Sequence, residues 1–403
     1  MRDVETEAMK HLEYLCLKIG PRPVGSEGNQ AAADYIKGVF EASGLEVEVQ
    51  EIPCPAWEHR YTRLELDGER LDAAANAFSP SCDVVAPVVA VGTVAELEAA
   101  DLSGRIGVMV GDLTKGTGLS ARRGFYFPER DQRIMQLLEQ KRPVALITVH
   151  SKTHCLERLI RDWEFPIPSA TVPAEVGLTL LGHSDPKLHL RIESHRSSGR
   201  FGNVVATKAG DKQERIVMCA HFDTTMDTPG AIDNGSGVAV LLTLATALAR
   251  RKLPLGLEWI ALNGEENGGL GDAEYLRRRE ETLAQVLAVI NVDGVGGRVG
   301  TNSITMLGGS PAFRDQVSEL HKGYPGVAWV DPWYESDHTA YFSRGVPCVA
   351  LGSIGVANIC HRPSDTIEWL SPAKLGEVVS LITGIVEGLQ DKSAGWCREK
   401  AAE

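Results

Sequence analysis

A His and two Asp fall within thirteen residues of this chain, in His221-Phe222-Asp223 and Asp233-Asn234-Gly235-Ser236-Gly237, directly after an apolar run. Downstream stand Glu265-Glu266, Asp293 and His361. Imidazole nitrogen and carboxylate oxygen are the donors zinc takes at about 2.0–2.2 Å, and a catalytic zinc keeps one position open for water. Two His with three carboxylates, one of them bridging, satisfy two zinc ions. Adjacent residues point in different directions, so one carboxylate of the Glu265-Glu266 pair can ligate metal while the other faces the bound water. A base beside a water whose pKa a metal has lowered is what amide hydrolysis requires. The residues read as a two-metal hydrolase.

Taken singly, each residue has an ordinary explanation. Asp233 before Gly-Ser-Gly reads as a helix N-cap, Glu265-Glu266 as a solvated face, Asp293-Gly294 as a turn. Their placement along the chain says more. Continuously apolar runs at 215–220, 257–262, 286–292 and 347–351 read as buried strands, with helices between them at 238–248 and up to Leu276. His221 and Asp223 follow the first strand, Glu265 and Glu266 the second, Asp293 the third, and His361 comes a few residues after the fourth. Asp233 heads the first helix. Open α/β sheets bind ligands beyond the carboxyl ends of their strands, and caps and turns do not explain this joint placement.

Other elements complete the frame. Residues 3–19 and 26–43 read as two amphipathic helices, the second capped by Ser26. Residues 45–52 alternate as a half-buried strand. Ser371 and Pro372 open a last helix through Leu389. Helices 3–43 have no sheet of their own, so both chain ends are expected to build one α/β domain, 1–60 with 197–403. Its sheet is expected to be mixed and mostly parallel, with helices on both faces. Residues 61–196 form an inserted β-rich α/β domain with strands at 83–91, 106–110 and 144–149 and a helix at 130–140. His150, His154, His183, His189 and His195 in this segment read as scattered surface histidines.

His221-Phe222-Asp223, Asp233 to Gly237, Gly264-Glu265-Glu266 with Gly271, Asn291-Val292-Asp293, and His361 with Asp365-Thr366 resemble, in that order, the motifs of the M28 family of metallopeptidases. The resemblance covers residues 1–60 and 197–403. It implies a zinc exopeptidase fold and two co-catalytic zinc ions. His221 and Asp293 would bind one ion, Glu266 and His361 the other, and Asp233 would bridge them. Glu265 would be general base and acid, and Asp223 would hold the His221 imidazole. It also implies a cis peptide after Asp233. The inserted segment resembles a protease-associated domain, which restricts access to the site. One position departs: where many relatives have a Tyr before the last His, this chain has Cys360, a poor hydrogen-bond donor. The loop Asp331 to His338 is the alternative source of a donor. Asp337 or His338 is expected behind the ligands or facing substrate, and Trp333 and Tyr334 are candidates for a side-chain pocket.

The function expected is an aminopeptidase acting on a peptide or small aminoacyl substrate. The alternatives are a glutaminyl cyclase-like acyltransferase, a carboxypeptidase or amidase of the same family, and a non-enzymatic binding protein on this fold. The last would be expected to have lost ligands or the base, and neither is lost. A net charge of −13 argues against nucleic acid and anionic membranes. No apolar run approaching about 18 residues is apparent, so no membrane span is expected. The N-terminus lacks the apolar stretch of a signal peptide. The eight cysteines lie far apart without a Cys-x-x-Cys pair, so they are expected to be reduced and mostly buried, in the cytoplasm. A homo-oligomer is compatible with the sequence.

Overall fold

Apolar runs without alternation need cover on both faces, and the sheet they build here has it. The computed structural model describes residues 2–115, 119, 128–184 and 186–398. The chain divides into two compact units, Met1–Pro53 with Arg200–Glu403, and Cys54–Gly199. Both boundaries lie a few residues from those expected, because they fall inside long strands, Glu46–Leu66 and Lys187–Lys208, where no turn signal marks them.

In the first unit the helices α1 (Arg2–Glu13) and α2 (Glu27–Ala42) precede the sheet. Its strands and helices follow as β1 (Lys187–Lys208, whose second half lies in this unit), β2 (Arg215–His221), α3 (Ser236–Leu248), β3 (Gly256–Leu262), α4 (Leu270–Arg279), β4 (Val286–Val292), β5 (Thr301–Leu307), α5 (Pro311–His321), β6 (Val327–Trp329), α6 (His338–Phe342), β7 (Cys348–Ile354) and α7 (Pro372–Gly388). The spatial order is β6-β5-β7-β4-β2-β3-β1. The four central strands β7, β4, β2 and β3 are parallel, while β1 joins β3 and β5 joins β7 antiparallel. The expected mixed, mostly parallel sheet flanked by helices is therefore present. Its register aligns the strand ends: Leu262 lies beside His221 and Val292 beside Leu351. Loops leaving these ends start side by side.

Alternate strand residues face opposite helical layers. Ile216, Met218 and Ala220 of β2 join the large core with α1, α2, α3 and α7. The residues between them, Val217 and Cys219, point the other way, toward the side where α4 and α6 pack on each other. Ser26 caps α2 by accepting from the Asn29 N–H, as its sequence implied. Ser371 and Pro372 open α7, although the Ser371 side chain makes no capping bond. The run-length reading missed one stretch, because Asp233 and Asn234 interrupt it. Ala231–Leu248 is apolar and long enough to cross a membrane, but 83% of it is buried inside the protein, where α3 forms the centre of the core.

Arg22, in the Gly-Pro-Arg-Pro break after α1, is fully buried. Its Nε donates to Phe222 O (2.9 Å), Nη1 to Pro229 O (2.7 Å) and Gly20 O (2.9 Å), and Nη2 to Gly230 O (3.0 Å). It thus holds both ends of the loop that leads from His221 to Asp233. Arg22→Met keeps the stem but leaves these carbonyls without their donor. We expect it to destabilise the unit by about 3–5 kcal/mol, read as a lower midpoint in urea unfolding against the unaltered protein.

The second unit holds strands at Cys82–Val91, Ile106–Met109, Ala145–Val149 and Ser169–Val172 in parallel succession, with the first half of β1 antiparallel to Cys82–Val91. Helices Val94–Ala99, Glu129–Lys141 and Ala174–Gly182 accompany them. One expectation is corrected here. His150 is buried rather than superficial, because it directly follows the interior strand Ala145–Val149. The Lys152 N–H donates to its Nδ1 (3.0 Å), so Nε2 carries the proton and faces Glu157 at 3.5 Å, with Cys155 nearby. All eight cysteines are free thiols, six of them buried.

Candidate metal centre

The aligned strand ends deliver the charged residues to one place. His221, the last residue of β2, is 1% exposed. Its Nδ1 donates to the carbonyl oxygen of Asp223 (3.2 Å), which leaves the Nε2 lone pair facing Asp233 Oδ1 at 3.3 Å and Asp293 Oδ1 at 3.5 Å, with no hydrogen bond of its own. His361 Nε2 lies 3.0 Å from Asp233 Oδ2 and 3.3 Å from Glu266 Oε2. Two donor sets result, His221-Asp233-Asp293 and Asp233-Glu266-His361, and Asp233 belongs to both. Donors held about 2.1 Å from one tetrahedral ion stand about 3.4 Å apart. The observed spacings of 3.0–3.5 Å match that, so the residues present fit zinc.

The electrostatics also call for positive charge. Burial opposes an imidazolium at His221, yet Asp293, Asp223 and Asp233 raise its pKa well above the ordinary value. Burial likewise opposes ionisation of Asp233, but His221 and His361 hold its carboxyl far below the usual range. At Glu265 burial pushes the carboxyl well up; His221 opposes this, while Glu266, Asp337 and Asp293 add to it. A half-buried carboxylate of raised basicity takes up a proton readily.

Asp233 is not a helix cap. Its neighbour Asn234 does that work: Oδ1 accepts from the N–H groups of Gly237 (2.9 Å) and Gly294 (3.2 Å), and Nδ2 donates to Val292 O (2.9 Å). A Cβ at position 237 would meet Val292 O at 2.2 Å and Asn234 Oδ1 at 2.3 Å, so only Gly permits this approach. The Asp233–Asn234 peptide is cis, as the resemblance implied. Asp365 Oδ1 accepts from Ile232 N (2.7 Å) and Oδ2 from Asp233 N (3.1 Å). Burial raises its pKa to about 7, against the pull of those two N–H groups.

Asp223 differs from expectation in detail. Its carbonyl, not its carboxylate, makes the nearest contact with His221; Oδ1 is 3.6 Å from Nδ1. The carboxylate instead accepts from the backbone N–H of Glu265 (3.3 Å) and Glu266 (3.2 Å). It therefore orients the Glu pair, whose second member is buried and not part of a solvated face.

The loop before α6 separates into two roles. Ser336, Asp337 and His338 are buried. Asn291 Nδ2 donates to Ser336 Oγ (2.9 Å) and to His338 Nδ1 (3.1 Å), and His338 Nε2 donates to Trp333 O (2.8 Å). Both His338 nitrogens are engaged, so this residue braces the strand leading to Asp293 rather than facing a substrate. Asp337 lies beside Asp272; burial raises both, Asp272 to about 8 against the pull of a hydrogen bond from Asp337, and the Asp272 charge adds to the rise at Asp337. Trp333 lines a cavity of about 520 Å3 together with Asp233, Asp293 and Cys360. Tyr334 is exposed and does not line it; its ring lies near Phe342 instead. Burial raises the pKa of the Cys360 thiol, followed in effect by Asp233, so it stays protonated against the cavity.

The family model described as Peptidase family M28 matches residues 203–386, which contain every ligand candidate named above. Residues 203–386 thus carry the pattern of peptidase family M28. The chain is similar to leucine aminopeptidase 2 of Trichophyton rubrum, 26% identical over 383 residues that cover 86% of this chain and 75% of that one. It is also similar to the aminopeptidase YwaD of Bacillus subtilis, 23% identical over 393 residues, covering 94% and 83%. Among solved structures, a zinc aminopeptidase from Bacillus subtilis superposes with a TM-score of 0.77 at 21% identity, covering 98% of each chain. The fold of that structure thus extends over almost the whole length of this chain.

Arg22, Asn234, Asp365 and Asn291 were not singled out from sequence as parts of the M28 site. Asn234, Asn291 and Asp365 carried a signal, standing within the quoted motifs; Arg22 carried none.

Proposed function

We propose that this protein is a zinc-dependent aminopeptidase with two zinc ions, released residues coming from the amino end of peptides or small aminoacyl substrates. The observation that carries the reading is the pair of donor sets sharing Asp233. In this assignment His221 and Asp293 hold one ion, Glu266 and His361 the other, and Asp233 lies between them. Bound there, zinc acidifies a coordinated water and polarises the scissile carbonyl. Glu265 accepts the proton of the attacking water and returns it to the leaving amine, while the Asp223 carboxylate fixes the backbone of Glu265 and Glu266. The resemblance of Cys54–Gly199 to a protease-associated domain is part of the same proposal, supported by its β-rich α/β composition.

A panel of free-amine aminoacyl amides, N-acetylated peptides and peptides beginning with Gln tests it, alongside metal analysis. Hydrolysis restricted to free-amine substrates, with about two zinc ions per chain after loading, is the expected result. Cyclisation of N-terminal Gln without hydrolysis, or fewer than one zinc per chain, would sink the reading.

A further inference from the structure

The cavity beside the ligand cluster has more room than a reacting carbonyl needs, about 520 Å3, and its lining is distinctive in charge. Asp233 and Asp293 are committed to the metal cluster. Two other carboxylates, Asp331 and Glu335, line the same cavity from the loop that carries Trp333. Both are exposed, and no Lys or Arg joins the lining. Among the described residues neither carboxylate pairs with a cation; Glu335 Oε2 only accepts from the Tyr334 N–H (2.9 Å).

Trp333 between them is held in place. Its carbonyl accepts from His338 Nε2 (2.8 Å), and its ring meets the His338 ring edge-on at 4.5 Å. Across from it, Gly352 keeps the floor low: a Cβ there would lie 3.6 Å from Trp333 Cζ2 and 3.0 Å from Asp293 O. Val330, Ile354 and Val356 supply apolar wall. An apolar channel with a fixed indole face and two unpaired carboxylates suits a long aliphatic stem ending in a cation. A shorter apolar side chain would use the walls and leave both charges unanswered.

We infer that this cavity receives the side chain of the substrate's N-terminal residue and selects Lys or Arg there, through Trp333, Asp331 and Glu335. The inference rests on the aminopeptidase reading. Partly exposed charge pairs and a cation–π contact are individually weak, so the expected preference is about ten-fold.

The test compares lysyl and norleucyl p-nitroanilides, which share the α-amine and the stem and differ at the terminal ammonium. In zinc-loaded protein at low salt, kcat/KM for the lysyl substrate should exceed that for the norleucyl one by about ten-fold, and the ratio should shrink at 1 M salt as screening weakens the pairing. The double variant Asp331→Asn, Glu335→Gln should bring the ratio close to one. A wild-type ratio of one or less would overturn the inference and leave the aminopeptidase reading standing. So would equal losses on both substrates in the variant, because that would mean the carboxylates read the shared α-amine. Failure to hydrolyse either substrate would overturn the aminopeptidase reading itself, and this inference with it.

Discussion

Glu265→Gln is expected to lower kcat about a thousand-fold while leaving the zinc content and KM nearly unchanged. Glutamine has the same shape, and the position is fixed by main-chain contacts: the backbone N–H groups of Glu265 and Glu266 are held by the Asp223 carboxylate. The substitution therefore removes proton acceptance and little else. General base and acid steps contribute about 10²–10⁴-fold, and one carboxylate serving in both directions belongs in the upper part of that range. Steady-state kinetics on a free-amine aminoacyl amide, with zinc analysis of the same preparation, decides it. A loss under ten-fold at full zinc occupancy would remove Glu265 from the role. If kcat and zinc fell together, Glu265 would be helping to hold metal, and the division of labour in the Glu265-Glu266 pair would be the reverse.

The position of Glu265 also shows what could be read from the sequence. Parallel strands buried on both faces are continuous apolar runs, so 215–220, 257–262 and 286–292 stood out, and the residues just after them had to emerge at one edge. His221, Glu265, Glu266 and Asp293 followed from that rule alone. What holds them did not. Arg22 reaches carbonyls some two hundred residues away, Asn234 bonds Val292 O, and Asp365 bonds the backbone of Ile232 and Asp233. These are side-chain contacts to main-chain atoms, which carry no residue type and leave no mark at the partner's position in the sequence. The same limit hid the other partners of the Asp223 carboxylate, which lies 3.6 Å from the His221 imidazole and also accepts from two backbone N–H groups. His150 was misplaced for a different reason: a polar residue ending an interior strand looks superficial until its own partner, Glu157, is known. The helix Pro311–His321 was missed although Ser310 and Pro311 are a start signal, since Ser310 accepts from Phe313 N and Pro occupies the first helical position.

Asp233→Asn should be the most damaging single change in the metal cluster, because only Asp233 belongs to both donor sets. Oδ1 faces His221 and Oδ2 faces His361. An amide keeps one acceptor oxygen and turns the other into a donor NH2, which cannot ligate, and it removes the charge both imidazoles face. Substitutions outside the ligand set typically cost 10–100-fold in metal affinity or activity; a ligand shared by two ions must exceed that, so a loss of kcat/KM well beyond about 100-fold is expected. The zinc content should fall from about two per chain to one or fewer. A stability readout separates metal loss from misfolding. A ligand that binds only the folded state stabilises it by about 2.7 kcal/mol at a hundred times its dissociation constant, so zinc should raise the unfolding midpoint of the unaltered protein. That rise should be much smaller in Asp233→Asn. The metal-stripped variant should itself be somewhat less stable than the metal-stripped parent, because the carboxylate that His221 and His361 hold ionised is lost, so the comparison is between the zinc-induced shifts of the two proteins. Equal zinc-induced shifts would mean that both ions are held without Asp233, and the bridging assignment would fall.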